Sequence, residues 1–311
     1  MTTFADQVYS LGSIPCFAGA LPPFPGNYWW VNESIGNDGY PGNTPQQPFA
    51  TLARAQQVAT ASNNDVVFLV GTVHTTATVT WAKDWVHLIG LTAPSDNSRA
   101  RISSSGSSVF TPLVNVTAQG CIFANFGTFH GFNDASAQIC WAEAGGRNSY
   151  NGVQFLGGGN ATAAAQAGMR SLTVAGSGEN VFSDCAIGLD TVTRATNANA
   201  SLEFLSGTPR NIFRRCTFQA LVSDASDVHV TVGVGGMDRY ALFDQCAFIN
   251  AIESGATAMS AAITANASAG GAILLRDCIS LGSTAIATTG PVYIVGTVPT
   301  AATSSNAIKA T

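Results

Sequence analysis

A repeat of 30 to 32 residues constrains what this chain can fold into more than any other feature of its 311 residues. The four clearest segments each read apolar, two polar or charged residues, cysteine, a spacer and then usually an apolar residue. Their cysteines, at steps of 31, 30 and 32 residues, are Cys185, Cys216, Cys246 and Cys278. The same step continues back through Val153, Cys121 and Ile89. A fixed period of this length indicates a solenoid, an array or a propeller.

The residue types within the repeat favour a parallel β-helix among these architectures. The motif segments are short, β-branched or aromatic, and bounded by polar pairs, which is typical of strands. Coils stacked about 4.8 Å apart satisfy each other's backbone N–H and C=O groups. Helical arrays require an amphipathic helical pattern that is missing here, and a propeller blade requires four strands in roughly 40 residues or more. The sequence therefore predicts an all-β solenoid.

This frame predicts three columns of side chains that point into the tube. The first column is Ile89, Cys121, Val153, Cys185, Cys216, Cys246 and Cys278. The second, two residues later and therefore on the same face, is Leu91, Phe123, Phe155, Ile187, Phe218, Phe248 and Ser280. The third is Val86, Ala118, Tyr150, Phe182, Phe213, Phe243 and Leu275. The third column lies three positions before the first, an odd offset, so we expect a turn or bulge at the polar pair between them.

The charged residues of the polar pairs alternate in sign from one coil to the next. They are Asp184, Arg214, Arg215, Asp244, Arg276 and Asp277. Alternation avoids like charges on directly stacked positions, so we expect an ion-pair ladder. The alternative is a pair of catalytic carboxylates, as glycoside hydrolysis requires. The four histidines are scattered, without HxH or HExxH spacing, so no catalytic residue, metal site or cofactor is assigned.

Composition excludes several classes of protein. Charged residues make up only 10% of the chain, against about 25% in ordinary soluble domains, which favours a surface covered by self-association or by a larger assembly. The net charge is −5 without a Lys/Arg cluster, so nucleic acid is not an expected partner. No apolar run of 18 residues occurs, so no membrane span is expected. The seven cysteines lie at coil spacing and are expected to be reduced and buried, with a disulfide between Cys185 and Cys216 as the alternative.

The chain before the repeat divides into an arm and a cap. Residues 1–28 are predicted to be an extended N-terminal arm, with four prolines between positions 14 and 26. A short helix at about 51–61 is predicted to cover the open end of the first coil. The β-helix domain spans 29–298, and a small polar tail spans 299–311. The candidate binding residues at an interface are Phe17, Leu21, Phe24, Trp29 and Trp30.

The reasons for these five residues differ. The apolar side chains of the arm would be costly to leave in water, so the arm is expected to pack against another subunit or within its own chain. Trp29 and Trp30 are adjacent, so in a strand they face opposite sides. One of the two indoles must therefore find cover outside the tube.

A family resemblance rests on the N-terminal segment. The residues that carry it are Trp30-Val-Asn, Gly36-Asn-Asp-Gly, Pro48-Phe-Ala-Thr-Leu and Asp65-Val-Val-Phe-Leu-Val-Gly. This order resembles the opening of the large family of right-handed, pectate-lyase-like β-helix proteins, which includes enzymes, surface proteins and tailed-phage proteins. The preceding Pro15-Cys-Phe-Ala-Gly and Pro22-Pro-Phe resemble the version in phage virion proteins. Where many members have Pro-Gly-His after the strand, this chain has Val73-His74.

The resemblance implies a right-handed, single-stranded parallel β-helix in a structural virion protein. We expect a capsid decoration or cement protein without enzymatic activity, on the outer surface of a tailed-phage capsid. Its partners would be itself, as a homotrimer, and the major capsid protein. The first alternative is a tailspike or fibre that binds or depolymerises polysaccharide, and the second is a bacterial β-helix lyase or adhesin.

Overall fold

The protein is a parallel β-solenoid of about seven turns with few helices. The computed structural model describes residues 24–93, 98–106, 109–195 and 199–295. Its strands form three parallel sheets, and each coil contributes one strand to each sheet over most of the length. The all-β solenoid predicted from the repeat is confirmed.

The three sheets are named A, B and C, and their strands follow from the N-terminal to the C-terminal end. Sheet A contains β1 (Tyr28–Val31), β2 (Val66–Leu69), β5 (His87–Gly90), β8 (Ile122–Ala124), β11 (Ser149–Asn151), β14 (Val181–Ser183), β17 (Thr208–Arg214), β20 (Met237–Asp244), β23 (Gly271–Arg276) and β25 (Val292–Val295). Sheet B contains β3 (Thr72–Thr75), β6 (Arg101–Ser104), β9 (Gly127–Phe129), β12 (Gln154–Leu156), β15 (Ala186–Ile187), β18 (Thr217–Ala220), β21 (Ala247–Asn250) and β24 (Ile279–Leu281). Sheet C contains β4 (Val79–Trp81), β7 (Val114–Val116), β10 (Ile139–Glu143), β13 (Arg170–Val174), β16 (Ala200–Phe204), β19 (Val228–Val232) and β22 (Ile263–Ala265).

From β8 to β23, a sharp turn joins each strand of sheet A to the next strand of sheet B. In the later coils one residue of the polar pair adopts the left-handed conformation, as in Asp184 (φ 54°), Arg215 (φ 49°) and Gln245 (φ 55°). This bend turns the chain between two strands, so positions three residues apart can both point inward. The turn that the odd offset of the two columns required is therefore present.

The predicted columns are confirmed from Val153 onward. The backbone N–H of Ala186 donates to the carbonyl of Val153 at 3.1 Å, and the N–H of Thr217 donates to the carbonyl of Cys185 at 2.9 Å. Rings of the third column stack face to face between Tyr150 and Phe182 at 4.6 Å, and between Phe182 and Phe213 at 4.5 Å. The six cysteines within the described ranges are free, and five of them are buried.

The first members of each predicted column are wrong. Phe126 and Ala100 continue the column of Val153, since Gln154 N donates to Phe126 O at 2.9 Å and Gly127 N to Ala100 O at 2.8 Å. The positions assigned in error are Ile89 and Cys121 in the first column, Leu91 and Phe123 in the second, and Val86 and Ala118 in the third. Register places Ile102 and Thr128 in the second column, and Leu88 and Phe123 in the third. The early coils are uneven in length, with 35 residues from Leu88 to Phe123 and 27 from Phe123 to Tyr150, so a constant step loses their register.

A column of asparagines inside the corner between sheets C and A was not predicted. The backbone N–H of Asn148 donates to Asn180 Oδ1 at 3.0 Å, and the side-chain Nδ2 of Asn180 donates to Asn211 Oδ1 at 3.1 Å. Cys121 lies at the start of this column, where its N–H donates to Asn148 Oδ1 at 2.8 Å. All three asparagines are buried, so their amides satisfy backbone groups that water cannot reach.

The predicted capping helix is present as α1 (Leu52–Val58). Thr51 is its N-cap, and its hydroxyl accepts the N–H of Arg54 at 3.1 Å. The buried side of the helix presents Leu52 and Ala55 to the core, so α1 covers the apolar end of the tube. A second short helix, α2 (Ala161–Ala164), and a 3₁₀ turn (Ile252–Ser254) lie in loops. None of the described helices has the length and apolar character needed to cross a membrane.

Candidate functional site

The predicted interface residues separate into two groups. Phe17 and Leu21 lie outside the described residues. Trp29 and Trp30 do face opposite sides: the Trp29 indole N–H donates to Asp65 Oδ2 at 3.0 Å, while the Trp30 ring lies 4.9 Å from Phe68 on the outside of sheet A. Phe24 joins the same outer cluster. Contacts within the chain thus cover part of the outer indole, and the interface role stays a prediction.

A cavity of about 390 Å³ lies between α1 and the segment that links β3 to β4. Its lining is rich in threonine hydroxyls and small apolar groups. The residues that line it are Thr51, Leu52, Ala53, Gln56, Val73, His74, Thr75, Thr76, Ala77, Thr78, Val79 and Thr80. A concave site with a few polar groups on an apolar base is the usual form of a ligand site.

His74 of this cavity is held by Glu33, which lies in the turn after β1. Glu33 Oε2 lies 2.9 Å from His74 Nδ1 and also accepts the backbone N–H of His74 at 2.6 Å. A carboxylate only accepts hydrogen bonds, so Nδ1 carries the proton of this contact, and Nε2 is the ring nitrogen left to act as a base. The second carboxylate contact fixes the backbone that carries the ring. This arrangement is that of a general base oriented by a carboxylate.

Gln56 also lines this cavity, although its Nε2 is shielded there, so the side chain must rotate to present its N–H groups to a ligand. Its side chain is only 8% exposed, and its Nε2 has no partner among the described residues. A buried donor without a partner costs about 1–3 kcal/mol, so the structure keeps this amide at a cost that a bound acceptor would remove. The hydroxyls of Thr75 and Thr78 already donate to Ala77 O and Pro112 O. They stay available as acceptors rather than as nucleophiles.

The outer face of sheet C continues from this cavity as a polar stripe. Thr80 both lines the cavity and begins the stripe, since it pairs in register with Asn115 of the next coil. The aligned positions are Thr80, Asn115, Ala142, Thr173, Glu203, Thr231 and Thr264. Arg170 Nε donates to Glu203 Oε2 at 2.8 Å and fixes that carboxylate. Polar groups repeating at about 4.8 Å along a flat face can contact an extended chain.

Buried ionisable groups inside the tube lie apart from this cavity. Burial raises the pKa of Glu143 to about 7, although the Tyr150 hydroxyl and the Asn148 amide donate to its carboxylate. Burial likewise raises the pKa of Asp227 to about 6, against the opposing charge of Arg194. Neither carboxyl lies on the outer face of sheet C or lines the cavity, so these groups serve the fold.

Four of the six charged residues of the polar pairs form ion pairs between neighbouring coils. Arg215 donates to Asp184 through Nε at 2.8 Å and through a terminal nitrogen at 2.7 Å, and Arg276 Nε donates to Asp244 Oδ1 at 2.7 Å. Each of these two carboxylates is bound to an arginine of the next coil, which confirms the predicted ion pairing for Asp184, Arg215, Asp244 and Arg276. Within the described ranges, no group of three or more His, Cys, Asp or Glu could hold a metal ion.

The fold is similar to those of solved carbohydrate-active proteins. A rhamnogalacturonan lyase matches with a TM-score of 0.56 and 14% identity, over 82% of this chain and 68% of that one. A pectin methylesterase from Aspergillus niger matches at 0.51 and 15%, over 88% and 87%. A pectate lyase matches at 0.50 and 10%, over 86% and 78%. No family model matches the sequence, and no curated protein matches it either.

The comparison corrects one expectation from the sequence. The chain was expected to have no enzymatic activity, and that prediction is wrong: the matching structures are lyases and esterases of polysaccharides. Identities of 10–15% establish the shared fold alone, so any reaction must be argued from the residues of this chain. Sequence analysis noted His74 but had no signal for Glu33, 41 residues away, or for Gln56.

Proposed function

We propose that the protein binds a polysaccharide along the outer face of sheet C and hydrolyses an ester group on it at the α1 cavity. The observation that carries the proposal is the meeting of two features on one cavity. One is an imidazole oriented by a carboxylate, in His74 and Glu33, and the other is the unpartnered buried amide of Gln56. The shared fold of lyases and methylesterases supports it. This interpretation favours the tailspike or fibre alternative over capsid cement.

The proposed reaction uses a water molecule as the nucleophile. His74 Nε2 removes a proton from the water as its oxygen attacks the ester carbonyl carbon, and Glu33 stabilises the imidazolium that forms. The Gln56 amide donates to the oxyanion of the tetrahedral intermediate. When the intermediate collapses, the bond to the alkoxy oxygen breaks and the leaving alcohol takes the proton from His74. The products are a carboxylic acid and an alcohol.

The lining of the cavity favours ester hydrolysis over β-elimination. Elimination from an acidic sugar requires a cation that neutralises the sugar carboxylate while a proton leaves the adjacent carbon. No Lys or Arg is among the residues that line the cavity. An ester carbonyl requires only a donor for the developing oxyanion, which Gln56 supplies.

Release of the alcohol or acid from an esterified polysaccharide tests the proposal. Incubation of the protein with methyl-esterified and with acetylated glycans should release methanol or acetate. His74→Ala should lower the rate by about 10²–10⁴-fold, the usual contribution of a positioned base, and Gln56→Ala should lower kcat. Asp184→Asn, an exposed position on the A–B turn, is the matched control and should leave the rate unchanged. Equal rates in wild type and His74→Ala would refute the proposal, as would unsaturated products, which indicate a lyase.

The setting of this activity is a separate proposal. The location on the outer surface of a phage virion, the homotrimer and the contact with a major capsid protein rest on the N-terminal resemblance. Light scattering of the purified protein, alone and with capsids, checks them. A stable monomer that does not bind capsids would refute both proposed partners and would leave the proposed reaction at the cavity unaffected.

A further inference from the structure

The corner between sheets C and A carries a second column of outward side chains, made of residues in the left-handed backbone conformation. Register places Trp85, Gly120, Arg147, Glu179 and Arg210 on successive coils. Their φ angles are 56°, 68°, 55°, 59° and 48°. Each strand of sheet C leads into this corner, so the column forms one rim of the polar stripe on that sheet.

Trp85 is the unusual member of the column. A bulky aromatic residue at positive φ is a strained choice, and its indole is 47% exposed. A Cβ on Gly120 would lie 2.4 Å from Trp85 Cδ1 and 2.5 Å from Nε1. The indole therefore lies over the glycine of the next coil, and only glycine leaves room for it there. A positive φ that holds a half-exposed indole on the outside of the tube points to a binding function.

Two arginines extend the column beyond the indole. Arg147 Nε donates to Glu179 Oε2 at 2.7 Å, and Arg210 Nε donates to Glu179 Oε1 at 3.0 Å. The carboxylate thus orients both guanidinium groups. The side chains of Arg147 and Arg210 are 63% and 45% exposed, against 26% for Glu179. The cations therefore reach further into solvent than the anion that holds them.

We propose that this corner, defined by Trp85, Arg147 and Arg210, binds an acidic polysaccharide. The indole face would stack on the apolar C–H face of a sugar ring, and the guanidinium groups would bind its carboxylates through the N–H groups that Glu179 leaves free. The indole over Gly120 and the position of Arg210 are three coils apart, about 14 Å at about 4.8 Å per coil. That span requires an oligosaccharide rather than a single anion. The inference deepens the proposed function by naming the substrate class, but it depends on different residues.

Calorimetric titration of the full chain with hexagalacturonate and with neutral maltohexaose tests this site. Hexagalacturonate should bind, and its affinity should fall as salt is added. Trp85→Ala and Arg147→Ala should each weaken binding by about tenfold or more. The matched controls are Trp30→Ala, a half-buried tryptophan on the outside of sheet A, and Arg215→Ala, an exposed ion-paired arginine on the A–B turn. Neither control should change the affinity, and a thermal melt of each variant shows that it is folded.

Two outcomes would overturn the inference. Equal binding of the two oligosaccharides would show that the ligand need not be acidic. Equal losses of affinity in the Arg147 and Arg215 variants would show that binding depends on the total charge of the protein and not on this corner. The two proposals fail separately: His74→Ala should lose ester hydrolysis but keep hexagalacturonate binding. Binding without hydrolysis in the wild type would refute the esterase alone.

Discussion

The coils before residue 152 are built differently from those after it. In the later part the inward column steps by 32, 31, 30 and 32 residues from Val153 to Cys278, and like side chains stack on like. In the earlier part the steps from Ala100 to Phe126 and from Phe126 to Val153 are 26 and 27, and the stacked residues differ. The earlier part also holds α1, the cavity with Glu33 and His74, and Trp85.

The later coils mainly stabilise the fold, whereas the earlier coils carry the proposed binding and catalytic residues. Repetition in the later coils lets rings and thiols stack on similar side chains one strand away, so every coil supports its neighbours. The earlier coils give up that regularity, and their unequal loops bring unlike side chains together. We therefore expect substitutions in the later coils to act mainly on unfolding, and those near α1 and Trp85 to act mainly on binding and catalysis.

Phe182→Ala should produce the largest effect on stability. Its ring is fully buried and stacks on Tyr150 and Phe213 at 4.6 and 4.5 Å. Loss of the ring should lower the free energy of unfolding by about 3–5 kcal/mol, measured by urea denaturation. Phe126→Ala is the matched variant in the earlier coils. Its ring is equally buried but lies 6.0 Å from Trp141, tilted rather than stacked, so its loss should cost less. An equal or greater loss would contradict the contrast between the two parts.

The pH dependence of stability should report Glu143, which lies where the two parts meet. Its pKa is raised by burial from an ordinary 4.5 to about 7, so the folded state holds a proton that the unfolded state has released. The stability it contributes is therefore present below pH 4.5 and is lost as pH rises to about 7, by roughly 3 kcal/mol. Glu143→Gln should flatten this part of the stability curve. Glu179→Gln, at a partly exposed carboxylate whose pKa Arg147 and Arg210 lower, should leave this slope in place, and a curve unchanged by Glu143→Gln would be inconsistent with the assignment.

Asn180→Ala should have an intermediate effect. The substitution removes the acceptor for the buried N–H of Asn148 and the donor to Asn211. An unsatisfied buried group costs about 1–3 kcal/mol, so the midpoint of urea unfolding should fall. Asn115→Ala, at an outward position of sheet C, serves as the control and should change the midpoint little. Similar midpoints for the two variants would show that the asparagine column does not stabilise the corner.

Arg215→Ala should have the smallest effect. Its pair with Asp184 is well formed, but the two side chains are 56% and 47% exposed. Exposed pairs contribute about 0–1 kcal/mol, and a double-mutant cycle with Asp184→Ala in low and high salt measures this term. A coupling well above that range, or one insensitive to salt, would mean that the ladder is part of what holds the coils together.

The sequence by itself determined the solenoid, the later columns and the ion-pair ladder. A strand in such a tube can satisfy its backbone only on the next coil, so a regular step from Val153 to Cys278 leaves a single stacking. Even the turn at the polar pair followed from the odd offset between Tyr150 and Val153. The capping helix followed in the same way, because an open apolar end requires a cover.

Only the tertiary structure decided the register of the early coils and the contents of the cavity. A change in loop length costs little free energy, so the loops before Val153 could differ in length without any change in the apolar pattern of the strands. Hydrogen bonds between coils, not the spacing of apolar residues, then set Phe126 and Ala100 in the column assigned to Cys121 and Ile89. For the same reason Glu33 and His74, 41 residues apart, meet only once the first coils have closed.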